Sequence, residues 1–312
     1  MRLPRSSHIL AFPVIVVNYS AQTLPLTPHK VRPAAQYSWW QGAVLFGLIG
    51  WLYAPILLRL AQQWWHDPNF SHGFFVPLFS IYVLWQKREE LQSVPPAPSF
   101  SGLFIVAFAL VVLVVGELGA ELFLSRVSLL FLLAGLIVFF QGWPQFRAVL
   151  FPWAFLFLML PIPAIVFNQI TFPLQLLASK LAAVLLPWFG VPVLREGNII
   201  HLPAMPLEVA DACSGIRSLL SLATISIIYG YLMEPRILIR LVLALASVPI
   251  AVAANSLRIV GTGLLVQYWG PARAEGFFHT FSGWLIFVVS LLMLFVLHQL
   301  LQIGGGEGED EA

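Results

Sequence analysis

One cysteine, Cys213, stands in 312 residues, so no disulfide can close within the chain and no multi-cysteine metal centre can form. If that thiol carries chemistry, nucleophilic chemistry is the kind left to it. The alternative is a small hydrophobe buried in a core. Charge is equally sparse: 16 Lys and Arg against 14 Asp and Glu make only 10% of the chain and leave a net +2. Basic residues this few and this scattered exclude a nucleic-acid partner. The histidines, His8, His29, His66, His72, His201, His279 and His298, include no ligand-like helical pair, so neither a metal nor another cofactor is implied. No internal repeat and no second domain is visible.

What the chain has instead is apolar length. Hydrophobic residues make up 59% of it and the mean hydropathy is +0.87, which places it among all-α polytopic membrane proteins. Eight stretches read as spans: 41–60, 73–85, 102–116, 127–140, 148–160, 214–232, 237–265 and 281–301. Several fall short of the roughly 20 residues that a full crossing needs. A ninth, 165–189, carries Asn168, Gln169, Thr171, Gln175, Ser179 and Lys180 along its length and reads as an amphipathic helix lying in the interface.

Eight spans put both ends on one side. With the ends in the cytoplasm, Arg2, Arg5, Lys30, Arg32, Lys87, Arg88, Arg147, Arg236 and Arg240 lie inside, and only Arg126, Lys180, Arg195 and Arg273 lie outside or at the outer boundary. That balance favours cytoplasmic termini. Segments 62–72, 161–212 and 266–280 then form the outer face. Residues 1–40, with Pro4, Pro13, Pro25, Pro28 and Pro33 and a short apolar patch at 9–17, are expected to be a poorly structured extension without a cleavable signal. The main domain is expected at 41–303, followed by an acidic, glycine-rich tail at 304–312 with no appended domain.

Ionisable groups at hydrocarbon depth are costly unless paired or wet, so they mark where function is sought. Arg258 lies 21 residues beyond Ile237, about 30 Å up a helix, which brings it to the outer boundary. Cys213 begins the preceding span at that face and His279 the following one. A histidine can take the thiol proton and return it to a leaving amine, while arginine stabilises a thiolate or an oxyanion. Depth does not establish lateral contact, and each residue has a structural alternative: His279 as a cap, Arg258 snorkelling to phosphates. Arg217, on the same helical face as Cys213, competes for the cationic role. Ser214 is a weaker alternative nucleophile. Glu208 and Asp211 approach the thiol and, as carboxylates, would raise its pKa, which makes a flanking cation more necessary.

Five motifs occur in order between residues 40 and 300: Trp65-His66-Asp67-Pro68-Asn69-Phe70-Ser71-His72-Gly73-Phe74-Phe75-Val76-Pro77, Leu160-Pro161-Ile162-Pro163, Ala212-Cys213-Ser214-Gly215-Ile216-Arg217-Ser218, Asn255-Ser256-Leu257-Arg258, and His279 with Gly283-Trp284. Together they resemble the exosortase and archaeosortase family. The resemblance implies a membrane-embedded cysteine transpeptidase of the bacterial inner membrane. Its substrates would be exported proteins bearing a C-terminal Pro-Glu-Pro-type motif, a transmembrane helix and a basic cluster (PEP-CTERM signals). Each substrate would be cut through a thioacyl intermediate and passed to an acceptor amine, in the service of exopolysaccharide or cell-surface assembly. Carried onto this chain, it makes Cys213 the nucleophile, Arg258 the electrostatic stabiliser and His279 the general acid/base, with Arg217, Asn255, Asp67 and His72 as auxiliary candidates. For Asp67 to Pro77 a structural turn is favoured over a direct part in the site. Two other classes stay open at this point: a protease that only hydrolyses, and a non-enzymatic export or assembly protein in which the three residues are structural.

Overall fold

Long runs of Leu, Val, Ile, Phe and Ala, broken by proline and glycine, can satisfy their backbone polar groups in a bilayer only as helices, and helices are what they form. The computed structural model describes residues 39–209, 215–270 and 277–306, with the side chains of the last segment described from 281 to 303. Residues 1–38 and 307–312, most of the expected extension and tail, lie outside them.

Helix α1 (Trp39–His66) is followed by a 3-10 turn (Pro68–Phe74), a short α2 (Phe75–Gln86) and α3 (Arg88–Ser93). A hairpin of α4 (Ser101–Leu118) and α5 (Leu122–Phe140) leads to short helices α6 (Trp143–Ala148) and α7 (Leu150–Phe155) and a second 3-10 turn (Leu156–Met159). Then come α8 (Ala164–Leu185) with a closing 3-10 turn (Leu186–Phe189), three short strands, α9 (Ile216–Met233), α10 (Ile237–Trp269) and α11 (Phe277–Gly306).

Seven of these are long and apolar enough to cross a membrane: 39–66, 101–118, 122–140, 164–189, 216–233, 237–269 and 281–303. The chain is therefore an all-α polytopic membrane protein. Its division differs from the sequence expectation at three segments. The stretch expected to span at 73–85 is a 12-residue helix, about 18 Å long and short of the hydrocarbon core. The stretch at 148–160 is broken at Val149 and again at Leu156. Segment 164–189, expected in the interface, has the length and composition of a span. Its polar residues do not share one wet face: Thr171, Gln175 and Ser179, four apart, are buried, while Asn168, Gln169 and Lys180 are exposed. Thr171 and Ser179 donate to the carbonyls of Phe167 and Leu176, and Ser179 also to that of Gly197, so this stripe can turn inward.

The loop after α8 folds into a three-stranded antiparallel sheet, β1 (Leu194–Glu196), β2 (Ile199–His201) and β3 (Pro206–Glu208), in the order β1-β2-β3. Ile200 sends its side chain into a core of Ala178, Ala182 and Leu186 from the α8 side and Ile259, Val260 and Val266 from α10. The sheet is thereby riveted to two helices. At the other end of the same bundle, Glu234 in the α9–α10 turn is buried, within 3.2 Å of His298 Nε2 on α11, and Tyr229 of α9 meets His298 Nδ1 at 2.7 Å. The backbone N–H of Arg236 holds the Glu234 carboxyl below the usual carboxylate range, with His298 and Gln302 adding to the effect.

Candidate active site

Helix α10 is where the sequence-predicted segments meet. Asn255, buried at 3% exposure, packs against Gly215, the first described residue after the Cys213 loop. A Cβ at Gly215 would stand 3.0 Å from Asn255 Cβ, and its φ of +78° is a left-handed backbone that favours glycine. One turn on, Arg258 is half-buried and shares a small cleft with Leu207, Glu208 and Val209. Val209 is itself pinned: its N–H donates to the Asn198 carbonyl at 2.9 Å and its carbonyl accepts from Asn198 Nδ2 at 3.3 Å. Both ends of the loop that carries Cys213 are thus fixed against one stretch of α10. Cys213, Ser214 and Asp211 lie outside the described residues.

The other side of Arg258 faces α11. Its Nη2 is 3.7 Å from where a Cβ would sit on Gly283, an ordinary contact distance that puts the guanidinium against that helix. Arg258, Gly261 and Thr262 with Phe281, Ser282 and Leu285 enclose a cavity of about 280 Å³ between the two helices. The His279 backbone belongs to α11 one turn before Gly283, on the same stripe, and its side chain lies outside the described residues. Arg258 therefore lies between the strand that leads into the cysteine loop and the helix that carries His279 in its first turn. Arg217, its competitor for the cationic role, is exposed on α9.

Asp67 and His72 are engaged elsewhere. Asp67 Oδ1 caps the first 3-10 turn by accepting from the Asn69 N–H at 2.9 Å. His72, 8% exposed, donates from Nε2 to the Leu158 carbonyl at 3.2 Å, and burial pushes its imidazole below the ordinary histidine range. Trp64 Nε1 donates to the Met159 carbonyl at 2.9 Å, and its indole lies so close over Gly73 that a Cβ there would be 2.3 Å from Nε1. The motif around Asp67 and the segment entering Leu160-Pro161-Ile162-Pro163 are two halves of one lock, which sequence reading left without a partner. The sheet and the Asn198 clamp were also missed, although Gly197-Asn198, after Arg195-Glu196 and before Ile199-Ile200, is a two-residue hairpin signal.

A family model described as transmembrane exosortase matches residues 64–296, well over half of the chain. Neither the curated proteins nor the solved structures gave a match.

Proposed function

The chain belongs to the transmembrane exosortase family, a membrane protease or transpeptidase class, and on that premise we propose that it cleaves C-terminal PEP-CTERM-type sorting signals of exported proteins and passes them to an acceptor amine. Cys213 is the nucleophile, His279 the general acid/base and Arg258 the electrostatic stabiliser. The observation that carries this reading is the position of Arg258, with the cysteine loop's two anchors on one side and the helix of His279 on the other. It supplies a lateral convergence that depth along three helices could not.

In the proposed reaction His279 takes the thiol proton and the Cys213 thiolate attacks the carbonyl carbon of the scissile peptide bond. Arg258 offsets the charge that gathers on the carbonyl oxygen. The C–N bond then breaks as His279 protonates the departing amine, leaving a thioester on Cys213. An acceptor amine attacks that thioester, loses a proton to His279, and forms a new amide while the thiolate departs and is reprotonated. The site is assigned to the outer side of the bacterial inner membrane, with the turn that carries Arg236 and Arg240 on the cytoplasmic side, as short basic loops favour; seven spans, an odd number, leave the two termini on opposite sides instead of both in the cytoplasm as eight would.

The test is processing of a tagged substrate in membranes. Cys213→Ala is expected to accumulate at the wild-type level and leave the substrate uncut; continued cutting would overturn the assignment. Mass spectrometry of the new substrate C-terminus separates transfer, which adds an amine-bearing group, from hydrolysis, which leaves a free acid.

A further inference from the structure

Arg126 sits in the second turn of α5, beside a corner whose residues 118–121 are exposed, yet it is itself only 3% exposed. Its Nε is buried with no hydrogen-bond partner among the described residues. The carboxylate whose charge acts on it, Glu121, is committed to the α5 N-cap, where Oε1 accepts from the Phe123 N–H at 3.2 Å. The adjacent hydroxyls are committed as well: Ser125 donates to the Glu121 carbonyl, and Ser128 donates to the Ser125 carbonyl and meets Tyr53 Oη.

Arginine cannot discharge itself by losing a proton, so a buried guanidinium without a counter-charge is strongly destabilising. Ordinary snorkelling does not resolve this, because the side chain is enclosed by protein instead of reaching toward bulk headgroups. Glu121 acts on it without an ion pair among the described residues, so a contacting anion has to come to the arginine. Four residues past Leu122 is about 6 Å inside the helix end, close enough to the polar boundary of the bilayer for a headgroup phosphate to be the nearest external anion. A planar guanidinium pairs with two phosphate oxygens at once.

We propose that Arg126 is the receptor for one phosphate group, that of a phospholipid lodged at the α4–α5 corner. The same chemistry could come from free phosphate, so the experiment separates the sources. Thermal melting of the purified full-length protein in detergent is measured after delipidation and again with phosphatidylglycerol, with diacylglycerol lacking phosphate, or with inorganic phosphate. Wild type is expected to melt several degrees higher with phosphatidylglycerol and to be unmoved by diacylglycerol. Arg126→Gln is expected to melt at or above wild type when delipidated and below it with phosphatidylglycerol, and native mass spectrometry should find one fewer retained phospholipid. A rise with inorganic phosphate as large as that with phosphatidylglycerol keeps the phosphate site but assigns it a soluble occupant. Equal lipid retention and parallel melting shifts in wild type and variant overturn the proposal, as does a shift produced only by an acidic peptide. If Arg126→Gln does not accumulate, Arg126→Lys serves: it keeps the charge, loses the fork, and should retain less lipid than wild type.

Discussion

At Gly283 the guanidinium of Arg258 stands at contact distance from any side chain that would be added. A methyl group there would be 3.7 Å from Nη2, an ordinary contact, so Gly283→Ala is expected to process substrate within about threefold of wild type. Gly283→Leu extends further carbons into the same space and must push the guanidinium off α11. A displacement of about 1 Å at a reacting centre costs on the order of 10²-fold, and that is the expected fall in kcat/KM, read with membrane abundance as the control. Equal activity of the Ala and Leu variants would remove Arg258 from the proposed role. The contrast with Arg217 is instructive. Both arginines stand near a family motif, and their helical phases do not tell which one the neighbouring elements will enclose. That is decided by β3 and α11, which reach Arg258 from far away in sequence, so the convergence was invisible in composition and spacing.

Among the elements, hydropathy made most long helices legible because each contains enough apolar residues to declare itself alone; α8, punctuated by six polar residues, was the exception. It misjudged the short ones, since a 12-residue apolar helix looks like a truncated span until its partners are known. The first 3-10 turn shows why. Asp67-Pro68 announces a start, but the turn is held by contacts to Leu158 and, through Trp64, to Met159, nearly a hundred positions away. Three-residue strands were likewise too brief for any alternation to stand out. The lock around His72 has a pH signature. With the imidazole's folded pKa held below 6.5 by burial, the unfolded chain binds the proton first as pH falls, so stability is present above that value and is lost on acidification below it. Melting in detergent is expected to drop as pH falls below about 6.5, with a limiting slope of about 1.4 kcal/mol per pH unit from this group. His72→Gln keeps a donor for the Leu158 carbonyl and should flatten that part of the profile. An unchanged profile would show that other groups govern it.

On the scale of the whole molecule, the bundle of α9, α10 and α11 is closed differently at its two ends. One end is tied by the buried Glu234 and His298 with the half-buried Tyr229, which join the three helices. The other carries Asn255, Arg258 and Gly283, where small side chains and a cavity of about 280 Å³ leave room between elements. From His298 back to Gly283 is 15 residues of α11, about 22 Å, so the two ends belong to opposite sides of the bundle. On the proposed orientation the tied end, next to Arg236 and Arg240, faces the cytoplasm and the open end the outside. The single cysteine makes this directly testable without a cysteine-free background. A membrane-impermeant maleimide added to intact spheroplasts is expected to label Cys213, and Cys213→Ala should abolish the signal. In a Cys213→Ala chain, a cysteine placed at Pro235 should react only after the membrane is permeabilised. The reverse pattern would invert the topology and put the proposed chemistry on the wrong side for exported substrates.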